Sequence, residues 1–289
     1  MSLTLLKAWQ TAKARLEAVG LVGPVIDARL LVEAAADATR ADIVGDPYRE
    51  LTPEQAARLE DYISRREHRE PVSHILGRKG FWKIMLSVTP DVLTPRPDTE
   101  VIVDYVLKHL GEHEAFRMLD LGVGSGAIIL SILAERPAGR GLGIDVSEDA
   151  LAVARENAAN LGLQSQVALM RGDWTTGLES ESFDLVVSNP PYIASAVIET
   201  LDPEVRDHEP RLALDGGPDG LEAYRILAPQ ILRVLKPGGR FAVEIGYDQK
   251  IPVEALFRAA GAKGVQTLLD LSNLDRVVTG EKNALETSV

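Results

Sequence analysis

The tetrapeptide Asn189-Pro190-Pro191-Tyr192 closes the apolar run Phe183-Asp184-Leu185-Val186-Val187-Ser188. An Asn followed by two prolines continues neither a helix nor a central strand. The run therefore reads as a buried strand that stops at Asn189. That stop places an amide, two carbonyls and an aromatic ring at the carboxyl edge of a sheet, where ligands bind in open α/β folds. A planar NH2 group could donate both hydrogens there, one to the Asn189 side-chain oxygen and one to a prolyl carbonyl. The Tyr192 ring could cover its face. Such an arrangement suits chemistry on a poorly nucleophilic amino or amide nitrogen.

A second constellation lies upstream. Met118-Leu119-Asp120-Leu121-Gly122-Val123-Gly124-Ser125-Gly126-Ala127 leads from a strand pattern into an apolar helix pattern. Glycine at every second position lets the backbone turn sharply and approach a ligand closely. The helix after the loop offers free N–H groups and a positive dipole end. Nicotinamide, flavin and S-adenosylmethionine sites all use such a loop, and a tight turn without a ligand has the same look. Two acids narrow the choice. Asp145 ends the next strand pattern, about 20 residues on, where a carboxylate can bind ribose hydroxyls. Asp120 precedes the glycines, placed to orient the loop or meet an ammonium group. Acids at both positions favour S-adenosylmethionine over a dinucleotide, whose pyrophosphate Asp120 would repel. Trp174, after the third strand pattern, is placed either to pack on adenine or to serve as an ordinary half-buried aromatic.

The elements that must position these residues fall into two groups. Residues 4 to about 70 carry helical periodicity only: Leu5, Leu6, Trp9, Ala12, Leu16 and Val19 predict one helix, Val25 to Ala36 a second, and Thr52-Pro53-Glu54-Gln55 opens a third through Arg66. Phe81 to Val88, rich in strand formers, predicts a short hairpin, and Pro90, Pro95 and Pro97 stiffen the passage out of it. From residue 98 helix and strand patterns alternate. A helix is expected near 100–110 and strands at 117–121, 141–145, 166–170, 183–188 and 240–245, with a final pair near 264–269 and 275–279. Alternation of this kind implies an α/β fold with a mostly parallel, Rossmann-like sheet and helices on both faces. The expected domains are 1–74 (helical), 75–97 (hairpin and proline-rich connector) and 98–289 (cofactor and acceptor sites).

Together the glycine loop, Asp145 and Asn189-Pro190-Pro191-Tyr192 resemble S-adenosylmethionine-dependent amino-methyltransferases, which act on base amino groups or on protein glutamine. Further segments narrow the resemblance. Thr94-Pro95-Arg96-Pro97-Asp98-Thr99-Glu100 is similar to the Pro-Arg-Pro-Glu-Thr-Glu signature of the peptide chain release factor glutamine methyltransferases, the PrmC/HemK family. The stretch from Pro71 through Ile75-Leu76-Gly77 to Val88-Thr89-Pro90-Asp91-Val92-Leu93 fits too, as do Glu209 to Leu221, Leu235 to Gly239, Glu244 to Gln249 and Asp275 to Val278. Departures are few: Val123 stands where Thr is common, Asp98 where Glu is common, and the helical front matches loosely.

The resemblance implies methyl transfer from S-adenosyl-L-methionine, leaving S-adenosyl-L-homocysteine, to the glutamine amide of the Gly-Gly-Gln loop of class I release factors. It implies that Asp120, Gly122, Val123, Gly124, Ser125, Gly126, Asp145, Trp174 and Asn189 hold the cofactor. Asn189, Pro190, Pro191 and Tyr192 would bind the substrate, with Asn189, Pro190 and Tyr192 carrying catalysis. Thr99 and Glu100 would help close the cofactor pocket, or equally serve as a helix amino-terminal cap with an acidic first turn.

Composition sets the remaining bounds. The 289 residues include no cysteine, which excludes disulfides and a cysteine nucleophile and fits a reducing, cytoplasmic setting. No secretory leader or membrane-length apolar stretch stands out. The net charge of −12 counts against stable nucleic-acid binding. It weighs against the alternative, methylation of an exocyclic amine in DNA or RNA. A catalytically silent binding protein would have no need of Asn189. His109-Leu110-Gly111-Glu112-His113 matches a zinc-protease string, but Gly111 interrupts the helix that string requires, so no metal site is expected. Arg65-Arg66-Glu67-His68-Arg69-Glu70 reads as a solvated helix face that could also touch a protein substrate. No sustained heptad appears, so a monomer is expected.

Overall fold

The computed structural model describes residues 3–284. The chain divides into two compact units. One is formed by the chain up to Arg78 together with Asp202–His208, the other by Lys79–Leu201 and the chain from Glu209 onward. The outer ends of the expected domain spans, residues 1–2 and 285–289, lie outside the described residues.

The first unit is helical, with helices Leu5–Ala18, Pro24–Ala35, Arg40–Gly45, Pro53–Glu67 and Val72–Leu76. Local chemistry sets their starts. Gln55 N–H donates to Thr52 Oγ1 at 3.2 Å and Thr52 N–H to Gln55 Oε1 at 3.1 Å, a reciprocal cap with Pro53 in the first turn. Leu5, Ala8, Ala12 and Leu16 recur on one face and are fully buried, against Leu31, Val32, Leu59 and Ile63. The two shortest helices carry too few turns to show a period in the sequence.

Arg66 departs from the solvated reading of its charge run. It is 6% exposed, and its guanidinium donates to Asp27 Oδ2 at 2.8 Å and Glu204 Oε1 at 3.0 Å. Arg69 Nε lies 3.3 Å from the same Glu204 oxygen. Acceptors 39 and 138 residues away draw Arg66 inside, and no local charge pattern shows them.

The second unit opens with the hairpin β1 (Arg78–Phe81) and β2 (Ile84–Ser87). A seven-stranded sheet comes next, built from β3 (Arg117–Leu121), β4 (Arg140–Asp145), β5 (Val167–Arg171), β6 (Phe183–Ser188), β7 (Leu235–Glu244), β8 (Ala262–Leu269) and β9 (Asp275–Lys282). Their order is β5-β4-β3-β6-β7-β9-β8, and only β9 runs antiparallel to its neighbours. Two apolar layers cover the sheet, one around Ile102, Met118, Ile129 and Leu133, the other around Leu119, Tyr224, Phe241 and Phe257. The strands at 117–121 and 183–188 stand where the apolar runs place them. β7 begins earlier than expected because Leu235 pairs with Phe183 ahead of the Lys236–Gly239 bulge, after which Arg240 meets Leu185. Helix Glu100–His109 ends at His109, so His113 shares no helix face with it.

Chain order reverses across β3. β4 lies on one side and β6 on the other, so the loops after β3 and β6 leave the same edge side by side. Replacing Arg66 by Ala strands the half-buried Asp27 carboxylate and leaves Glu204 to Arg69 alone, and is expected to cost the helical unit about 3 kcal/mol. Urea unfolding read by circular dichroism checks this, and a loss below about 1 kcal/mol would show the cluster to be effectively solvated.

Candidate active site

β3 and β6 pair in parallel with Leu121 opposite Ser188, and the Ser188 hydroxyl donates to the Leu121 carbonyl at 2.7 Å. This register brings the glycine loop beside Asn189. A cavity of about 460 Å³ opens between them, within the range of small-molecule sites. Gly122, Val123, Gly124, Ser125, Asp145, Trp174, Asn189 and Pro191 all line it, together with Asp91, Arg96, Thr99 and Asp173.

The loop is held from behind. Gly122 and Val123 N–H both donate to the Ile144 carbonyl, at 2.9 and 3.0 Å. Gly124 N–H donates to Asp145 Oδ2 at 2.9 Å and Ser147 N–H to Asp145 Oδ1 at 3.0 Å. Each Asp145 oxygen thus has a fixed direction and spare acceptor capacity. Asn157, 1% exposed, donates to the Ser125 carbonyl at 2.9 Å and exchanges hydrogen bonds with the backbone of Ser87 in β2. Gly126 sits at φ +83°, a conformation that L side chains rarely adopt, and a Cβ there would press on the Leu130 side chain at 2.8 Å, so a larger residue would strain the turn.

Some expected site residues stand behind the wall. Asp120 is 1% exposed, and its Oδ2 accepts from Ile129 N–H at 3.2 Å while Oδ1 has no partner among the described residues. That bond ties Asp120 to the first turn of helix Ala127–Glu135. Gly126, Pro190 and Tyr192 do not line the cavity either. Glu100 also faces elsewhere: its Oε1 accepts from Trp82 N–H at 2.8 Å, tying the hairpin tip to the helix.

A polar layer that the sequence left unread supports the acceptor tetrapeptide. Asn189 Nδ2 donates to Thr99 Oγ1 at 3.3 Å. The Tyr192 hydroxyl donates to Glu244 Oε1 at 3.2 Å. Gln249 Nε2 donates to the Tyr192 and Gly220 carbonyls at 2.9 and 3.1 Å, while its Oε1 accepts from Gly246 N–H. Gly216 must lack a side chain, because a Cβ there would lie 2.8 Å from the Tyr192 Cα and 2.9 Å from the Pro191 carbonyl. Arg276 donates twice to Asp270 and lies 3.8 Å from Asp98. Glu244 was findable by the reasoning that picked Asp145, since both are acids closing an apolar strand. The Tyr192 and Gly220 carbonyls that Gln249 binds are 57 and 29 residues away and leave no local signature.

Electrostatics track burial. Burial pushes the Asp120 carboxyl up to about 8, opposed by the Ile129 N–H, and Glu244 up to about 7, opposed by Thr99, Arg276 and Tyr192. Burial also raises the Tyr192 phenol, with Glu244 adding to it. Arg96, the only cation among the lining residues, donates to Glu209 at 2.7 Å.

Comparison with known proteins adds an independent line. A methyltransferase-domain family profile matches residues 112–269, and one described as the PrmC N-terminal domain matches residues 7–77. The release factor glutamine methyltransferase of Caulobacter vibrioides is 71% identical over 286 residues, 99% of either chain. Those of Agrobacterium fabrum and Moorella thermoacetica are each 43% identical, over 93% and 95% of this chain and 94% and 97% of theirs. A methyltransferase from Pyrococcus furiosus superposes with a TM-score of 0.54 at 18% identity, covering 78% of this chain and 99% of its own, and so shares the fold.

The two upward carboxyl shifts have a defined sign. The folded chain holds those protons more tightly than the unfolded one, so their contribution is full below about pH 4 and is lost as pH rises through the folded values of about 7 and 8. Glu244, moving from 4.5 to about 7, accounts for roughly 3 kcal/mol of that slope. Urea midpoints are expected to fall between about pH 5.5 and 8.5, and Asp120→Asn to flatten the fall. An unchanged slope in that variant would show Asp120 ionised throughout.

Proposed function

This chain belongs to the release factor glutamine methyltransferases, and on that premise we propose how its site handles the glutamine amide. The chain is an S-adenosylmethionine-dependent protein-glutamine N-methyltransferase and its substrate is the Gly-Gly-Gln loop of class I release factors. The relatives named for that activity span nearly the whole chain and do not favour the alternative of methylation on nucleic-acid bases. No helix among the described residues is long and apolar enough to cross a membrane. A cytoplasmic monomer is the assembly proposed.

The cavity fits S-adenosylmethionine on an observation of its own. Gly122, at φ +73°, leaves open the space where a Cβ would stand 3.8 Å from Trp174 and 4.0 Å from the Asn189 carbonyl, so any side chain would narrow the passage between cofactor loop and acceptor. The Asp145 oxygens, held by Gly124 and Ser147, would take the ribose hydroxyls, Trp174 the adenine, and Gly122 to Gly126 the amino-acid end. The bound cofactor supplies an electrophilic methyl group.

One observation carries the acceptor assignment: Asn189 faces the cavity with its NH2 end already committed to Thr99. Its Oδ1 is therefore the end presented to a ligand, and it can accept one N–H of the substrate amide. A prolyl carbonyl of the tetrapeptide, of whose two prolines Pro191 lines the cavity, would accept the other. An amide nitrogen shares its lone pair with the carbonyl and is a poor nucleophile. Holding both hydrogens fixes the nitrogen's orientation towards the methyl group, and positioning of this kind lowers barriers by several kcal/mol. The two acceptors also stabilise positive charge growing on nitrogen. Tyr192, anchored by Glu244, would keep the acceptor loop in place and exclude water. The nitrogen's proton leaves late, to water.

Labelled S-adenosylmethionine is expected to label a release factor with the natural loop and to leave a Gln→Ala loop unlabelled. Asn189→Ala is expected to remove turnover while cofactor affinity, read by calorimetry, changes by less than about tenfold, or ~1.4 kcal/mol. Near-normal turnover in that variant would sink the assignment.

A further inference from the structure

Gln249 holds the far end of the acceptor tetrapeptide without touching the site. It is 8% exposed and does not line the cavity. Its Nε2 donates to the Tyr192 carbonyl at 2.9 Å and to the Gly220 carbonyl at 3.1 Å. Its Oε1 accepts from Gly246 N–H at 2.9 Å, which fastens the side chain to the end of β7. Two carbonyls face one end of this amide and an N–H faces the other, so its direction is forced. A carboxylate of the same shape would set an oxygen against both carbonyls. The fit is close as well. Gly220 sits at φ +73°, and a Cβ there would collide with the Tyr192 carbonyl oxygen and stand 2.7 Å from Gln249 Nε2.

The pinned carbonyl matters upstream because of the residues that precede it. The rings of Pro190 and Pro191 lock φ at about −65°, so the tetrapeptide has few soft dihedrals left. Its near end is fixed where Ser188 binds the Leu121 carbonyl and Asn189 binds Thr99. The Tyr192 ring is fixed by Glu244. The peptide plane joining Tyr192 to Ile193 is held at both edges, by Gln249 on the carbonyl and by the Leu214 carbonyl on the Ile193 N–H at 3.0 Å. Leu214 belongs to the same excursion of chain that Ile193 begins, whereas Gln249 ties the plane to the sheet. We propose that Gln249 is a positioning residue for methyl transfer: by clamping the Tyr192 and Gly220 carbonyls it sets the peptide planes of the tetrapeptide, and with them the direction of the prolyl carbonyl that meets the substrate amide. The inference rests on the glutamine-amide reading above. The cofactor side is independent of this clamp, since the glycine loop hangs on the Ile144 carbonyl and on Asp145.

The test measures kcat, KM for the release factor and cofactor affinity in the wild type, Gln249→Met, Gln249→Glu, Gly220→Ala and the double variant Gln249→Met with Gly220→Ala. Circular dichroism checks folding. Gln249→Met keeps the length and loses both donors. It is expected to lower kcat about tenfold, or ~1.4 kcal/mol, with KM and cofactor affinity changed less than about threefold. Gln249→Glu, which repels both carbonyls, is expected to lose more. Gly220→Ala presses the same carbonyl with Gln249 in place and is expected to lower kcat likewise. Both changes act on one carbonyl, so the double variant is expected to fall less than about twofold below the worse single one, where independent defects would multiply. A folded Gln249→Met with wild-type kcat, a loss shared equally by cofactor affinity, or multiplying losses in the double variant would each overturn the inference. If Gln249→Met does not fold, Gly220→Ala decides, and normal turnover in it overturns the inference. A wild-type chain that binds the cofactor yet leaves the natural loop unlabelled would overturn the glutamine reading, and this inference with it.

Discussion

The parallel pairing of β3 with β6 is the constraint on which the rest of the site depends. These strands are far apart in sequence, yet Leu121 sits opposite Ser188 and a side-chain bond from Ser188 to the Leu121 carbonyl locks the pair. The glycine loop starts one residue after Leu121 and the acceptor tetrapeptide one residue after Ser188. Two chemistries read separately in the sequence therefore meet at one edge. A slip of one residue would turn every side chain of β6 to the opposite face, carrying Leu185 and Val187 out of one apolar layer and Val186 out of the other.

Beneath that edge the protein buries acids. Asp120, Glu244 and Glu209 are each at most 7% exposed, and burial raises all three. A buried carboxyl costs least when neutral or when hydrogen bonds converge on it. Here two of the three serve as anchor points for the walls: Asp120 for the first turn of helix Ala127–Glu135 and Glu209 for Arg96 at the cavity. The walls are stiff because their polar attachments lie in a low dielectric, where each bond is stronger than in water.

Much of this was legible from sequence, and the remainder divides along a physical line. Strands β3 and β6, the capping box at Thr52 and the loop glycines announce themselves within a short window, because propensity and turn chemistry are local. The cavity-lining role of Asp145, Trp174 and Asn189 came from where strands end. The retreat of Asp120 and Tyr192 behind the wall did not, since side-chain direction is set by packing. Arg66 escaped for a related reason: its partners Asp27 and Glu204 come from distant segments. Gln249 binds the carbonyls of Tyr192 and Gly220 from a third element. Each miss is a contact whose partner the local pattern does not contain.

The composition of the helical unit bears on how the chain emerges from the ribosome. Asp202–His208 belongs to that unit although the whole stretch Lys79–Leu201 of the other unit precedes it. During synthesis the helices up to Arg78 are complete long before Glu204 exists, and Arg66 waits with half of its charge unanswered. Domains that are contiguous in sequence can finish folding one after another as they are made. The last piece of this one is translated only after β3, β4, β5 and β6 of the sheet. The Arg66–Glu204 pair can therefore form only once the acceptor tetrapeptide has been made.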